Sequence, residues 1–174
     1  MRRALLSAPA VAAVALVALT GCTPTVAMTP APDATETACA ALAVRLPAAL
    51  GTAQKRETDA QGTAAWGSTP DVTLTCGVTP PGPTTAVCLP VGGVDWVIED
   101  RSTGSPAVYV ATTFGRTPAT RVVIHAKGAV ASSDALPPIS DAVRAAMPAV
   151  TRRCIASPQP SASAGATASP TPSP

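Results

Sequence analysis

The order Leu19-Thr20-Gly21-Cys22, at the end of a short apolar run, decides where this chain folds and which covalent bonds its fold can use. Arg2 and Arg3 supply a positive start, Ala4 to Leu19 is apolar, and small residues precede Cys22. That succession reads as a secretory signal peptide over residues 1–21. The apolar run is shorter than the ~20 residues a transmembrane helix needs, and Thr23-Pro24 follows at once. The rest of the chain is therefore expected to fold outside the cytoplasm, where thiols oxidise.

Four cysteines lie beyond Cys22, namely Cys39, Cys76, Cys88 and Cys154. An even number in an exported chain predicts two disulfides, with three connectivities open. The rival reading is a metal site. It is disfavoured because no Cys-x-x-Cys occurs and His125 is the one imidazole, so neither metal nor cofactor is expected. The Leu-small-small-Cys order also resembles the lipobox of bacterial lipoproteins, whose cysteine receives a diacylglyceryl group and becomes the new N-terminus. The resemblance implies a diacylglyceryl, palmitate-bearing Cys22 holding the protein at the extracytoplasmic face of the cell membrane. One acyl chain binds a bilayer only marginally, and two anchor stably.

Cleavage before Cys22 removes Arg2 and Arg3 and leaves ten basic against ten acidic residues. The longest basic runs are then Lys55-Arg56 and Arg152-Arg153, too short for an electrostatic footprint on nucleic acid. The sequence has no Asn and two Lys against ten Arg, a bias that fits a high-GC bacterial genome.

Residues 22–35 are Thr/Pro/Ala-rich and read as a flexible linker that spans roughly 45 Å when extended. Residues 157–174 are almost entirely Ser, Pro, Ala and Thr; such a tail buries no core and is expected to stay disordered, and Ser/Thr/Pro tracts of this kind are substrates for O-glycosylation. Residues 36–156 are enough for one small domain. Cys39, Leu42, Leu46 and Leu50 recur at helical spacing. They predict a helix over 36–50, capped by Thr35 or Thr37, with Pro47 ending or kinking it. Residues 51–62 read as polar loop.

The period then changes to alternation. Val72, Leu74, Cys76 and Val78 share one face of a strand, and the Pro/Gly run Thr79 to Thr84 breaks it. Thr85–Val91 and Val94–Glu99 flank Gly92-Gly93 and predict a two-residue type I′ hairpin. Its register sets Val91 opposite Val94, Leu89 opposite Trp96 and Val87 opposite Ile98. Cys88, Pro90, Asp95, Val97 and Glu99 fall on the other face, and Pro90 marks a sheet edge or bulge. Further strands are expected over 107–114 and 120–126, and a helix over 139–150 that Pro148 shortens. The fold class is α+β: an antiparallel sheet of about five strands, with an N-terminal and a C-terminal helix on one face.

Alternation also bears on the disulfides. Cys39 and Cys76 lie on apolar faces, so a Cys39–Cys76 bond staples helix to sheet. Cys88 points away from the Val87/Leu89 face and is better placed to meet Cys154 after the last helix. The competing pattern, Cys76–Cys88 with Cys39–Cys154, requires a β-bulge near the Pro/Gly run.

Several stretches in order resemble an exported actinobacterial family, domain-of-unknown-function family 3515. They are Cys39-Ala40-Ala41-Leu42 with Leu46-Pro47, Gln54-Lys55-Arg56, Ala65-Trp66-Gly67, Leu74-Thr75-Cys76-Gly77-Val78, Gly93-Val94-Asp95-Trp96 and Phe114-Gly115-Arg116. Gly92 departs from an expected Asn, and the Trp66 to Cys76 spacing is one residue long. The family carries no assigned activity; it implies an envelope location.

Candidate functional residues are few. His125 must serve any imidazole-based chemistry, yet no Gly-x-Ser-x-Gly elbow is present and Ser132-Ser133 sits in a polar stretch. Asp95, Glu99 and Asp100 are the carboxylate cluster, with Asp95 and Glu99 on one face. Arg116 and Arg121 flank a turn and suit an anionic ligand. Trp96 is expected in the core, and Trp66, beside Gly67, is a core residue or a contact for glycan or protein. No catalytic residue is assigned. The expected role is a non-catalytic, lipid-anchored binding or organising protein. Its partners would be the membrane, through Cys22, and an envelope protein or glycan. The alternative is an enzyme acting on envelope polymers or their precursors, which a cleft joining His125 to Asp95 or Glu99 would favour.

Overall fold

A computed structural model describes residues 24–127, 130 and 132–155. The signal peptide expected over 1–21, Cys22 and the tail 157–174 lie outside the described residues. Helix α1 (Thr37–Ala43) opens the domain. Eight strands follow: β1 (Ala49–Leu50), β2 (Ala53–Arg56), β3 (Thr63–Trp66), β4 (Val72–Val78), β5 (Val87–Val91), β6 (Val94–Asp100), β7 (Ala107–Thr113) and β8 (Ala119–Ala126). Helix α2 (Ser132–Ala146) closes it.

All eight strands form one antiparallel sheet in the order β1-β2-β3-β4-β8-β7-β6-β5. Two meanders meet at its centre. After β4 the Pro/Gly run carries the chain across one sheet end to the far edge, roughly 19 Å at ~4.8 Å per strand. It then works back through β5, β6 and β7 so that β8 pairs with β4.

The fold class holds, and the strand count is corrected from about five to eight. The additional strands β1, β2 and β3 are short, and β2 (Ala-Gln-Lys-Arg) has little of the β-branched and aromatic content that marks a strand. Their pairing comes from the sheet they join. Helix α1 is seven residues rather than a run to Leu50, because the chain turns after Leu46 to enter β1. Its N-cap is Glu36, with no side-chain capping bond, in place of Thr35 or Thr37. Helix α2 begins seven residues earlier than expected and ends at Ala146. It runs through Pro137 and Pro138, and Ser132-Ser133 belong to its first turn rather than to a loop. Packing outweighs the lost proline donors: Ala135, Leu136, Ile139, Ala142 and Val143 are all buried against the sheet or α1.

Alternation assigns the two sheet faces. Trp66, Val72, Leu74, Cys76, Trp96, Ala111, Val122 and Ile124 point to the helix side and form the core with Leu42, Ile139 and Val143. Trp96 Nε1 donates to Ser140 Oγ at 3.0 Å, a buried bond that fixes α2 on the sheet. The β5–β6 hairpin has the expected register, Val91 with Val94, Leu89 with Trp96 and Val87 with Ile98. Gly92 and Gly93 hold φ of 57° and 77°, as a type I′ turn demands. Strand β5 is an edge, and Pro90 removes one of its donors there.

Two disulfides pin the ends of the chain. Cys39–Cys76 joins α1 to β4 inside the core, with Cα atoms 5.6 Å apart. Cys88–Cys154 joins edge strand β5 to the segment after α2, with Cα atoms 5.8 Å apart. That segment passes the β7–β8 turn, where the Thr151 amide donates to the Gly115 carbonyl at 2.8 Å.

Within residues 22–35, expected as a flexible linker, the described part 24–35 lies on the domain instead. The Val26 amide donates to Glu57 O at 2.9 Å and Met28 N to Asp59 Oδ1 at 2.7 Å. Asp33 N donates to Gly77 O at 3.1 Å, and Ala34 is buried. Gly77, at φ 92°, permits this approach, because a Cβ there would stand 2.4 Å from the Ala34 nitrogen. Residues 32–35 form a turn, closed by the Ala34 amide donating to Ala31 O at 3.1 Å, and the segment docks along the sheet margin because backbone partners are offered there.

Candidate functional site

The residues singled out in the sequence do not converge. His125 pairs with Val108, whose carbonyl accepts from the Arg101 amide, so His125 lies level with the far end of β6. Asp95 is near the opposite end of β6, about 20 Å away along the strand direction at ~3.3 Å per residue. Glu99 lies level with Val110 and Val123, two strands from β8, and is held by Arg101 through an ion pair. His125 and Asp95 therefore form no dyad, and Glu99 is already engaged. Among the described residues no group of three His, Cys, Asp or Glu side chains is placed to hold a metal ion.

Asp95 is buried. Its Oδ2 accepts the Cys154 amide at 3.0 Å and its carbonyl accepts Phe114 N at 2.8 Å. The carboxylate thus orders the C-terminal segment beside its disulfide. Trp66 offers no contact surface either. It is fully buried, and its Nε1 donates to the Pro47 carbonyl at 3.0 Å, which positions the turn after α1. Arg121 is exposed on the polar sheet face, where it shares a shallow depression with Glu99 and Arg101.

Arg116 and Arg121 are not brought together, because Arg116 turns inward. Arg116 is 2% exposed. Its Nη2 makes a long 3.4 Å bond to Gly93 O, while Nε and Nη1 are buried and have no acceptor among the described residues. Burial, followed by the charge of Arg153, lowers its pKa; Asp95 acts in the opposite sense, and Arg144 again lowers it. A buried charge short of partners is costly, about 3–5 kcal/mol where one member of a buried pair is missing.

The other notable site was not singled out from the sequence. On the helix side, α2 covers only part of the β5–β8 surface and leaves a groove of about 290 Å³. Leu89, Val91, Ile98, Tyr109, Ile124 and Leu136 line it over Ala111. Leu89 stays 47% exposed at its edge. Among the described residues the Tyr109 hydroxyl is its one polar side-chain group, so the lining recognises a ligand mainly by apolar contact. The alternation of β5, β6 and β7 carried the signal, since more apolar residues faced the helix side than a single helix can cover.

No curated protein and no solved structure matches the chain. A family profile described as a protein of unknown function (DUF3515) matches residues 4–152. The match takes in both helices and all eight strands and stops two residues before Cys154. The chain belongs to this family, DUF3515.

Proposed function

We propose that the protein is a lipid-anchored module of the extracytoplasmic envelope of an actinobacterium, with a binding rather than a catalytic role, and that its groove takes an aliphatic chain. The groove is the observation that carries this reading. Small-molecule pockets combine apolar walls with a few placed polar groups; here the walls are apolar throughout, apart from one hydroxyl. A polar metabolite would lose its hydration there without replacement bonds. Each methylene buried contributes about 0.8 kcal/mol, so six of them supply a gross ~5 kcal/mol. The lipobox order at Cys22 and the two disulfides support the location. The Arg-rich, Asn-free composition supports the origin.

Lauric acid, titrated below its micellar concentration, tests the groove. Saturable binding is expected, weakened at least tenfold by Leu89→Glu, a half-exposed position whose substitution leaves the core intact. Absence of saturation, or equal binding by the variant, rejects the assignment. The anchor is tested separately. Wild-type protein should incorporate labelled palmitate and sediment with membranes, and Cys22→Ala should do neither. A processed, membrane-bound Cys22→Ala protein would refute it.

A further inference from the structure

The second concave site lies at the other end of the sheet, where the chain gathers positive charge without matching it. A cleft of about 340 Å³ opens between the Pro80–Gly82 loop, the Gly115–Thr117 turn and the Thr151–Arg152 segment. Arg116 forms part of its wall, with its Nε and Nη1 donors unpartnered and its side chain buried. Arg152 stands on the facing segment and makes no ion pair among the described residues. Arg153 and Arg144 are close enough to act on Arg116. Arg144 is neutralised by Asp141 at 2.8 Å, and Asp95 spends an oxygen on the Cys154 amide. Of the residues that line the cleft itself, Arg116 and Arg152 are charged and none is acidic. The Thr117 hydroxyl is exposed and has no hydrogen bond among the described residues, so it can donate.

We propose that this cleft binds a phosphate group, with Arg116 and Arg152 as its cationic partners and Thr117 as a hydroxyl donor. The charge deficit selects phosphate over carboxylate. A phosphate monoester carries about −1.5 to −2 at neutral pH and offers three acceptor oxygens, which matches the two positive charges of the lining. Arginine is the side chain best suited to such a group, being always charged and rich in fixed donors. The apolar groove plays no part in this argument, and the two sites stand or fall separately. Phosphate could reach the cleft as a free or polymer-borne monoester or as a lipid headgroup.

The test follows the side-chain Nε–Hε signals of arginine in ¹⁵N-labelled full-length protein, at constant ionic strength. Inorganic phosphate and glycerol phosphate are titrated against acetate. A saturable shift of the Arg116 signal with the phosphates, absent with acetate, is expected. Arg152→Ala should weaken it at least tenfold while leaving the thermal melt of the ligand-free protein unchanged, since Arg152 is exposed. Arg116→Lys keeps the charge, loses the guanidinium geometry and should also bind more weakly. To separate the sources, the protein is placed on vesicles whose anion is either phosphatidic acid or, at equal charge, oleate. A shift on phosphatidic acid alone, without a response to soluble phosphates, assigns the lipid headgroup. A response to soluble phosphates assigns the free or polymer-borne group. No saturable response to any phosphate, an equal response to acetate, or undiminished affinity in Arg152→Ala overturns the proposal.

Discussion

Replacing each disulfide in turn by two alanines should reverse the order that loop length gives. In the chain-entropy account, a cross-link stabilises by about 3.8 kcal/mol for the 37-residue separation of Cys39–Cys76 and about 4.3 kcal/mol for the 66-residue separation of Cys88–Cys154. Loop length alone thus makes the second bond the stronger. The structure argues the opposite. Cys39 and Cys76 are both buried in the main core, between α1 and β4, so their removal also leaves a small void that its neighbours must fill. Cys154 sits in an extended segment after α2, tied down by few other contacts. Without its bond that segment can fray while the sheet stays folded, and the native state recovers part of the entropy. Cys39→Ala/Cys76→Ala should therefore cost about 4 kcal/mol, and Cys88→Ala/Cys154→Ala about 2 kcal/mol or less. At roughly 4 °C per kcal/mol for a domain of this size, the melting temperatures should fall by about 16 °C and 8 °C. Urea and thermal unfolding followed by circular dichroism measure both. A larger loss in the Cys88/Cys154 pair would refute the fraying argument and restore loop length as the deciding term.

Two further outcomes are expected. Ser140→Ala leaves the Trp96 Nε1–H buried without its acceptor and should cost about 1–3 kcal/mol, which chemical denaturation will register; a neutral result would mean that water or another group replaces the hydroxyl. The Asp100 carboxylate is held below its usual pKa by hydrogen bonds from the Ser102 side chain and then its amide, the latter at 2.9 Å. A depressed carboxylate contributes stability that is present above its unfolded pKa of about 3.9 and is lost as pH falls through the folded value. Ser102→Ala should move the Asp100 titration upward in an NMR pH series, and an unmoved midpoint would exclude the hydroxyl as the main cause.

The parts of the fold legible in the sequence are those where a single physical pattern dominates. Strand β4 and the β5–β6 hairpin were readable residue by residue, because strict alternation and a Gly-Gly turn leave one register that buries the apolar set. The same alternation put Cys88 opposite Leu89 and so bore on its partner. Strands β1 and β2 were not readable: Ala53-Gln54-Lys55-Arg56 has neither alternation nor β-branched residues, and its strand state comes from β3 beside it. Pro137-Pro138 concealed the first half of α2, since local preference there opposes the tertiary packing that wins. At the candidate sites, residue type was visible and environment was not. Arg116 is legible as a cation beside a turn, but its burial depends on the Gly93 turn and on a C-terminal segment far away in sequence. Sequence leaves Trp66 open between core and contact and shows Asp95 as one of a carboxylate cluster, and long-range packing buries both.

The docking of residues 24–35 changes how the molecule would hang from a membrane. The Pro24 carbonyl accepts from Arg56, and Val26 bridges Thr58. With an acylated Cys22, three residues would separate the lipid-bearing cysteine from that bridge, four steps of chain or at most about 14 Å at ~3.5 Å each. The expected 45 Å leash becomes a short swivel. A domain mounted in this way cannot roam the space above the bilayer. If Cys22 is acylated, it would ride in the plane of the surface with its β2–β3 side toward the headgroups and would search in two dimensions. Whatever it meets must come to that first layer or already reside in it.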